Sequence, residues 1–95
     1  MDNLEISDII HDEEKRQFKM KIGNFIAIVD YEMKKNKMYL IHSEVPYHLQ
    51  GKGYGKKLID KTFEYIETHS IKAVAVCSYI KSVKTKNENW NKLIG

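Results

Sequence analysis

Val45-Pro46-Tyr47-His48-Leu49-Gln50-Gly51-Lys52-Gly53-Tyr54-Gly55 is the stretch whose reading decides the fold. Pro46 cannot donate to a sheet ladder, so it closes whatever strand precedes it. Three glycines within five residues follow, and then an amphipathic run begins. A strand, a glycine-rich bend and a helix in that order let successive backbone N–H groups converge on an anion. The positive end of the helix dipole adds to the attraction. Lys52, Lys56 and Lys57 place further positive charge beside the same point. A phosphate-type ligand is expected; the plain alternative is a turn that binds nothing.

Downstream, Tyr54, Leu58, Ile59, Thr62, Phe63 and Ile66 recur at helical spacing and form one apolar face. Lys56, Lys57, Asp60, Lys61, Glu64 and Glu67 take the other. This predicts a helix from Gly53 to Thr68, about 25 Å long at 1.5 Å per residue, ended by His69-Ser70. Ala73–Cys77 is a short run suited to one buried strand. Ser78 is placed as the cap of a helix reaching Thr85, and a last turn carries Trp90 and Leu93 onto the core.

Upstream, Met38–Val45 reads as a strand. Simple alternation puts Tyr39, Ile41, Ser43 and Val45 on one face and Met38, Leu40, His42 and Glu44 on the other. Lys34–Lys37 is a polar hairpin loop with Asn36 in the turn. Phe25–Tyr31 is apolar enough to predict a central strand covered on both faces. Phe18, Met20 and Ile22 alternate with Gln17, Lys19 and Lys21, as in a half-buried strand. Gly23-Asn24 supplies a tight turn, and Ile6–Ile10 is expected to be the first strand. The whole is α+β: antiparallel strands lead into a strand–helix–strand unit with a right-handed crossover, then a C-terminal helix.

A chain of 95 residues is too short for two cores, so residues 1–95 are read as one domain. The net charge of +3 is mild, and the lysines lack the interleaved aromatics of a nucleic-acid surface, so no nucleic acid is expected. Cys77 is the one cysteine, which leaves no intramolecular disulfide and no CxxC metal site. His11, His48 and His69 are too scattered for a metal cluster. No apolar run has the length of a signal peptide or a membrane span, so a cytoplasmic protein without a membrane partner is expected. The small core suggests a monomer or a weak homodimer.

The dinucleotide fingerprint needs a third glycine where Lys56 stands, and the mononucleotide P-loop needs Lys-Ser or Lys-Thr after the last glycine, where the chain has Lys56-Lys57. Both fail. Gln50-Gly51-Lys52-Gly53-Tyr54-Gly55 instead resembles the Q/R-x-x-G-x-G/A motif of the GNAT acetyltransferases, matched by Gln50, Gly53 and Gly55. With Ile41–Pro46 before it, the segment is similar to the compact YjdJ-type members, and the resemblance spans nearly the whole chain.

The resemblance implies a minimal GNAT fold in which acetyl-CoA lies between two splayed strands, here at His42–Val45 and Val74–Cys77. Backbone groups from Ser43 to Val45 would hold the pantetheine. The amides of Gln50, Gly51, Lys52, Gly53, Tyr54 and Gly55 would hold the pyrophosphate, with Lys56 beside them. Lys84 or Lys86 would reach the adenosine phosphate. Acetyl transfer to an amine needs a base for the amine and a proton for the departing thiolate. His42 is the candidate base, since an imidazole titrates near working pH, and Glu44 would orient it or act in its place. Cys77 is the candidate acid or acyl acceptor across the gap from His42, or else a small wall residue.

Two departures from larger family members stand out. Val83-Lys84-Thr85 offers no tyrosine for the thiolate, and Tyr79 lies too near the helix start for that role. The chain also lacks the N-terminal helices that wall an acceptor pocket. The expected function is therefore acetyl-CoA-dependent N-acetylation of an unknown amine, with an acyl-CoA-binding module of little turnover as the alternative.

Overall fold

The computed structural model describes residues 4–95. Five strands form one mixed sheet in sequence order: β1 (Ile10–Asp12), β2 (Gln17–Ile22), β3 (Phe25–Lys34), β4 (Lys37–Glu44) and β5 (Ala73–Ala75). The first three pairings are antiparallel, and β4 runs parallel to β5 through Met38↔Ala73, Tyr39↔Val74 and Leu40↔Ala75. A short 3-10 turn (Tyr47–Leu49) and α1 (Tyr54–Thr68) make the crossover. Two short helices follow β5, α2 (Ser78–Thr85) and α3 (Glu88–Leu93).

The first strand is placed differently from the sequence expectation. Ile6 makes only an isolated bridge to Ile22, and the ladder begins at Ile10. The register decides this: β2 presents Gln17–Lys19 to Ile10–Asp12, while its far end is met by the incoming chain through Ser7 N–H donating to the Lys21 carbonyl. The β2–β3 and β3–β4 hairpins each close on two residues. Lys35 and Asn36 both take positive φ, whereas at Gly23-Asn24 only the glycine does.

One face of the sheet is buried. Phe18, Met20 and Ile22 from β2, Ala27, Val29 and Tyr31 from β3, and Met38 and Leu40 from β4 pack beneath α1. All six apolar-face residues of α1 are buried. Thr62 joins them because its hydroxyl donates to the Leu58 carbonyl at 2.8 Å, which removes the cost of an unpaired polar group. The other face is open, which corrects the expectation of a doubly covered β3: Ile26 is 50% exposed, and Ile28 and Asp30 are only partly buried. Parallel crossovers on both sides would have covered it, but the described residues make one crossover, between β4 and β5.

At the far end of α1, His11 lies between two phenols, 2.6 Å from the Tyr31 hydroxyl and 3.1 Å from that of Tyr65. It also stacks on Phe18 at 4.4 Å. At the C-terminal end, Ile94 is buried in place of Leu93, which stays 38% exposed. Gly95 bonds to both Ala73 and Ala75, so the outer edge of β5 is occupied. Trp90 packs edge-on against Phe63 and donates its Nε1–H to Asp60 at 3.1 Å, tying α3 to α1.

Candidate functional site

The site begins with a defect in β4. Asp30 pairs with His42 and Tyr31 with Leu40, which leaves Ile41 as the extra residue of a β-bulge. A bulge reverses the alternation beyond it. Met38 and Leu40 face the helices, and after the bulge Ser43, opposite buried Val29, faces them too. Tyr39, His42 and Glu44 face the open side. The simple alternation read from the sequence is therefore corrected from Ile41 onward.

The same region is where the parallel strands part. Ladder pairing between β4 and β5 ends at Leu40↔Ala75, and the Leu40 carbonyl then receives both the Val76 and the Cys77 N–H. Beyond that point the edge of β4 faces a gap. A cavity of about 390 Å³ fills it, lined by Ser43, Val45, Gln50, Gly51, Gly53, Gly55, Leu58 and Tyr79. The exit of β4 and the glycine bend are thus brought to one hollow.

The bend is built to present backbone. Gly51 and Gly53 have φ of +77° and +87°, with open space where a Cβ would point. Gly53 caps α1 without a side-chain hydrogen bond, and the first turn holds no acidic residue. The first N–H groups of a helix have no partner within it, so this end of α1 suits an anion. Gln50 turns its side chain inward, donating to the Val45 carbonyl at 3.0 Å and fixing the bend to the strand exit.

Other expected ligands fall outside the cavity. The Tyr54 ring is buried in the core, leaving its backbone alone for a ligand. Lys56 lies in a neighbouring groove with Asp60, Tyr79, Ser82, Val83, Lys86 and Asn87. Its ammonium is 2.6 Å from Asp60, and that hydrogen bond holds it above the ordinary lysine range. Of Lys84 and Lys86, only the second lines this groove. Lys84 sits in the last turn of α2, partly buried.

His42 and Glu44 are adjacent, with Nε2 and Oε1 3.3 Å apart, and both are exposed on the open face. Cys77 is on the other side, its Sγ 3.8 Å from the Ser43 hydroxyl. The thiol therefore meets Ser43 across the gap rather than His42. Cys77, not Ser78, occupies the cap position of α2. Partial burial pushes its pKa up, but the N–H groups of Ile80 and Tyr79 and the Ser43 hydroxyl outweigh this, and the thiol lies below the ordinary cysteine value. The rate of iodoacetamide alkylation against pH should accordingly have its midpoint below that of a free thiol. Ser43→Ala should raise that midpoint by removing one of the stabilising contacts.

Leu58 and Tyr79 were not assigned to the cavity from the sequence. Leu58 reads only as helix core, because its floor position depends on what packs over it. Tyr79 had a signal in Gly55: that residue lies in α1 outside the left-handed region, so its backbone does not demand glycine.

Splayed parallel strands bridged by a glycine bend and a helix define an acetyltransferase-type domain. The chain belongs to the GCN5-related N-acetyltransferase family, whose model matches residues 17–93. Among curated relatives it is similar to Protein NATD1 of Xenopus tropicalis, 29% identical over 94 residues, spanning 92% of this chain and 85% of that one. Protein NATD1 of Mus musculus is 30% identical over 80 residues, spanning 81% and 73%. Among the described residues no helix is long and apolar enough to cross a membrane, and no group of His, Cys, Asp and Glu could hold a metal ion.

Proposed function

We infer that this chain is an acetyl-CoA-dependent N-acetyltransferase acting on an amine, within the compact YjdJ-type branch of its family. The observation that carries this reading is the single hollow shared by the β4 exit and the glycine bend. A glycine-lined helix start without acidic residues fits a pyrophosphate. The free edge of β4 from Ser43 to Val45 fits an amide-bearing pantetheine arm. Bound acetyl-CoA would supply an acetyl group activated as a thioester.

The two proton-handling groups lie on opposite sides of β4, which suits a donor on the helix side and an acceptor on the open face. With Nε2–H donated to Glu44, the Nδ1 of His42 is left to take the proton of an incoming ammonium. Cys77, with its lowered pKa, is the group placed to return a proton on the donor side. The alternative, an acyl-CoA binder with little turnover, is favoured by the lack of direct contact between His42 and Cys77.

Calorimetric titration with acetyl-CoA and with CoA, followed by a screen of amine acceptors, tests the reading. Saturable binding and turnover that His42→Ala abolishes, with binding retained, is the expected result. Binding without turnover on any amine selects the alternative. No binding at millimolar ligand removes both.

A further inference from the structure

We propose that the Tyr79 hydroxyl is a phosphate ligand, completing from α2 the anion cradle that the glycine bend and the start of α1 form. The inference rests on the acetyl-CoA reading above and adds a side chain to it. Three observations converge on this residue.

Tyr79 stands at the wall common to the two hollows, touching both the cavity of Ser43 and Gly55 and the groove of Lys56 and Lys86. A ligand with a pyrophosphate at the bend and its nucleotide in the neighbouring groove would pass this ring. A Cβ on Gly55 would lie 2.9 Å from the Tyr79 hydroxyl oxygen and 3.3 Å from two ring carbons. The phenol oxygen thus rests against the first turn of α1, where the unpartnered N–H groups are. Gly51 and Gly53 are explained by positive φ, but Gly55 is explained only by this close approach.

The hydroxyl is also uncommitted. Tyr31 and Tyr65 both give their phenol oxygens to His11. Tyr79 is 44% exposed, and its side chain makes no hydrogen bond within the described residues. An O–H donor at the mouth of an anion cradle, with no internal task, is available to a phosphate oxygen. Hydrogen bonds to charged groups are the stronger class.

Tyr79→Phe removes the donor and keeps the ring. Titrated with acetyl-CoA, the variant should bind about tenfold more weakly than the parent. Acetyl-pantetheine, which has the thioester arm without the pyrophosphate, measured by competition, should bind parent and variant alike. Thermal unfolding should be unchanged, since an exposed hydroxyl without a protein partner is removed. Equal acetyl-CoA affinity in parent and variant overturns the role of Tyr79 and leaves the acetyl-CoA reading standing. So does an equal loss on both ligands, which would make the effect one of ring placement. A parent protein that does not bind acetyl-CoA overturns the reading and this inference with it.

Discussion

Gly53→Val should weaken acetyl-CoA binding by at least about tenfold, and more if the side chain fills the cradle. Gly53 sits at φ +87°, where an L-residue costs about 1–2 kcal/mol and a β-branched one lies at the upper end. Apart from its own chain neighbours, no atom of the described residues lies within 4 Å of its would-be Cβ. The folding cost is therefore the backbone strain alone, whereas the binding cost includes a side chain projecting where the ligand would lie. Gly53→Asn separates the two, because asparagine tolerates the left-handed region. It should leave thermal stability nearly intact and still impair binding. Parent-like affinity in both variants would show that the bend is only a turn.

Phe63→Ala should destabilise the fold by about 3–5 kcal/mol. Phe63 is fully buried in the middle of α1 and carries the Trp90 ring edge-on at 5.6 Å. One substitution thus loosens the α1–sheet core and the seat of α3 together. Against a total of roughly 5–15 kcal/mol for a native domain, that is a large share. Urea unfolding followed by tyrosine and tryptophan fluorescence measures it, and a loss under about 1 kcal/mol would contradict the packing described. If the variant is insoluble, Phe63→Leu provides a milder step of under about 1.5 kcal/mol. On the proposed acetyl-CoA reading, the ligand at a hundred times its Kd should restore about 2.7 kcal/mol, as expected of a ligand that binds the native state alone.

The family comparison supports an acetyltransferase-type reaction, and the arrangement around β4 is what the proposed division into a donor and an acceptor side rests on. On the proposed reading the hollow toward α1 and α2 is the donor side, while His42 and Glu44 are exposed on the bare face of the sheet. That bare face follows from there being one crossover among the described residues. An acceptor would meet a broad, open surface there instead of a walled pocket, which accords with a peripheral or small amine.

The sequence by itself determined the features whose signals are local and periodic. The buried face of α1 matches its helical spacing residue for residue, Tyr54, Leu58, Ile59, Thr62, Phe63 and Ile66. The alternation of Phe18, Met20 and Ile22 is the buried side of β2. The strand end before Pro46 and the left-handed turns at Gly51 and Gly53 were legible as well, because a turn needing positive φ announces itself in residue type. Only the tertiary structure decided the rest. The bulge at Ile41 arises from pairing β4 against β3, and no pattern within β4 records it; that one extra residue exchanges the faces beyond it, turning Ser43 to the helix side and His42 to the open side. Tyr79 reaches Gly55 from 24 residues further on in the sequence, and Trp90 reaches Asp60 from 30. Such contacts are fixed by how helices settle on a sheet. A side chain's neighbours along the chain carry its periodicity, but its chemical task here depends on partners that the chain supplies only once it has folded.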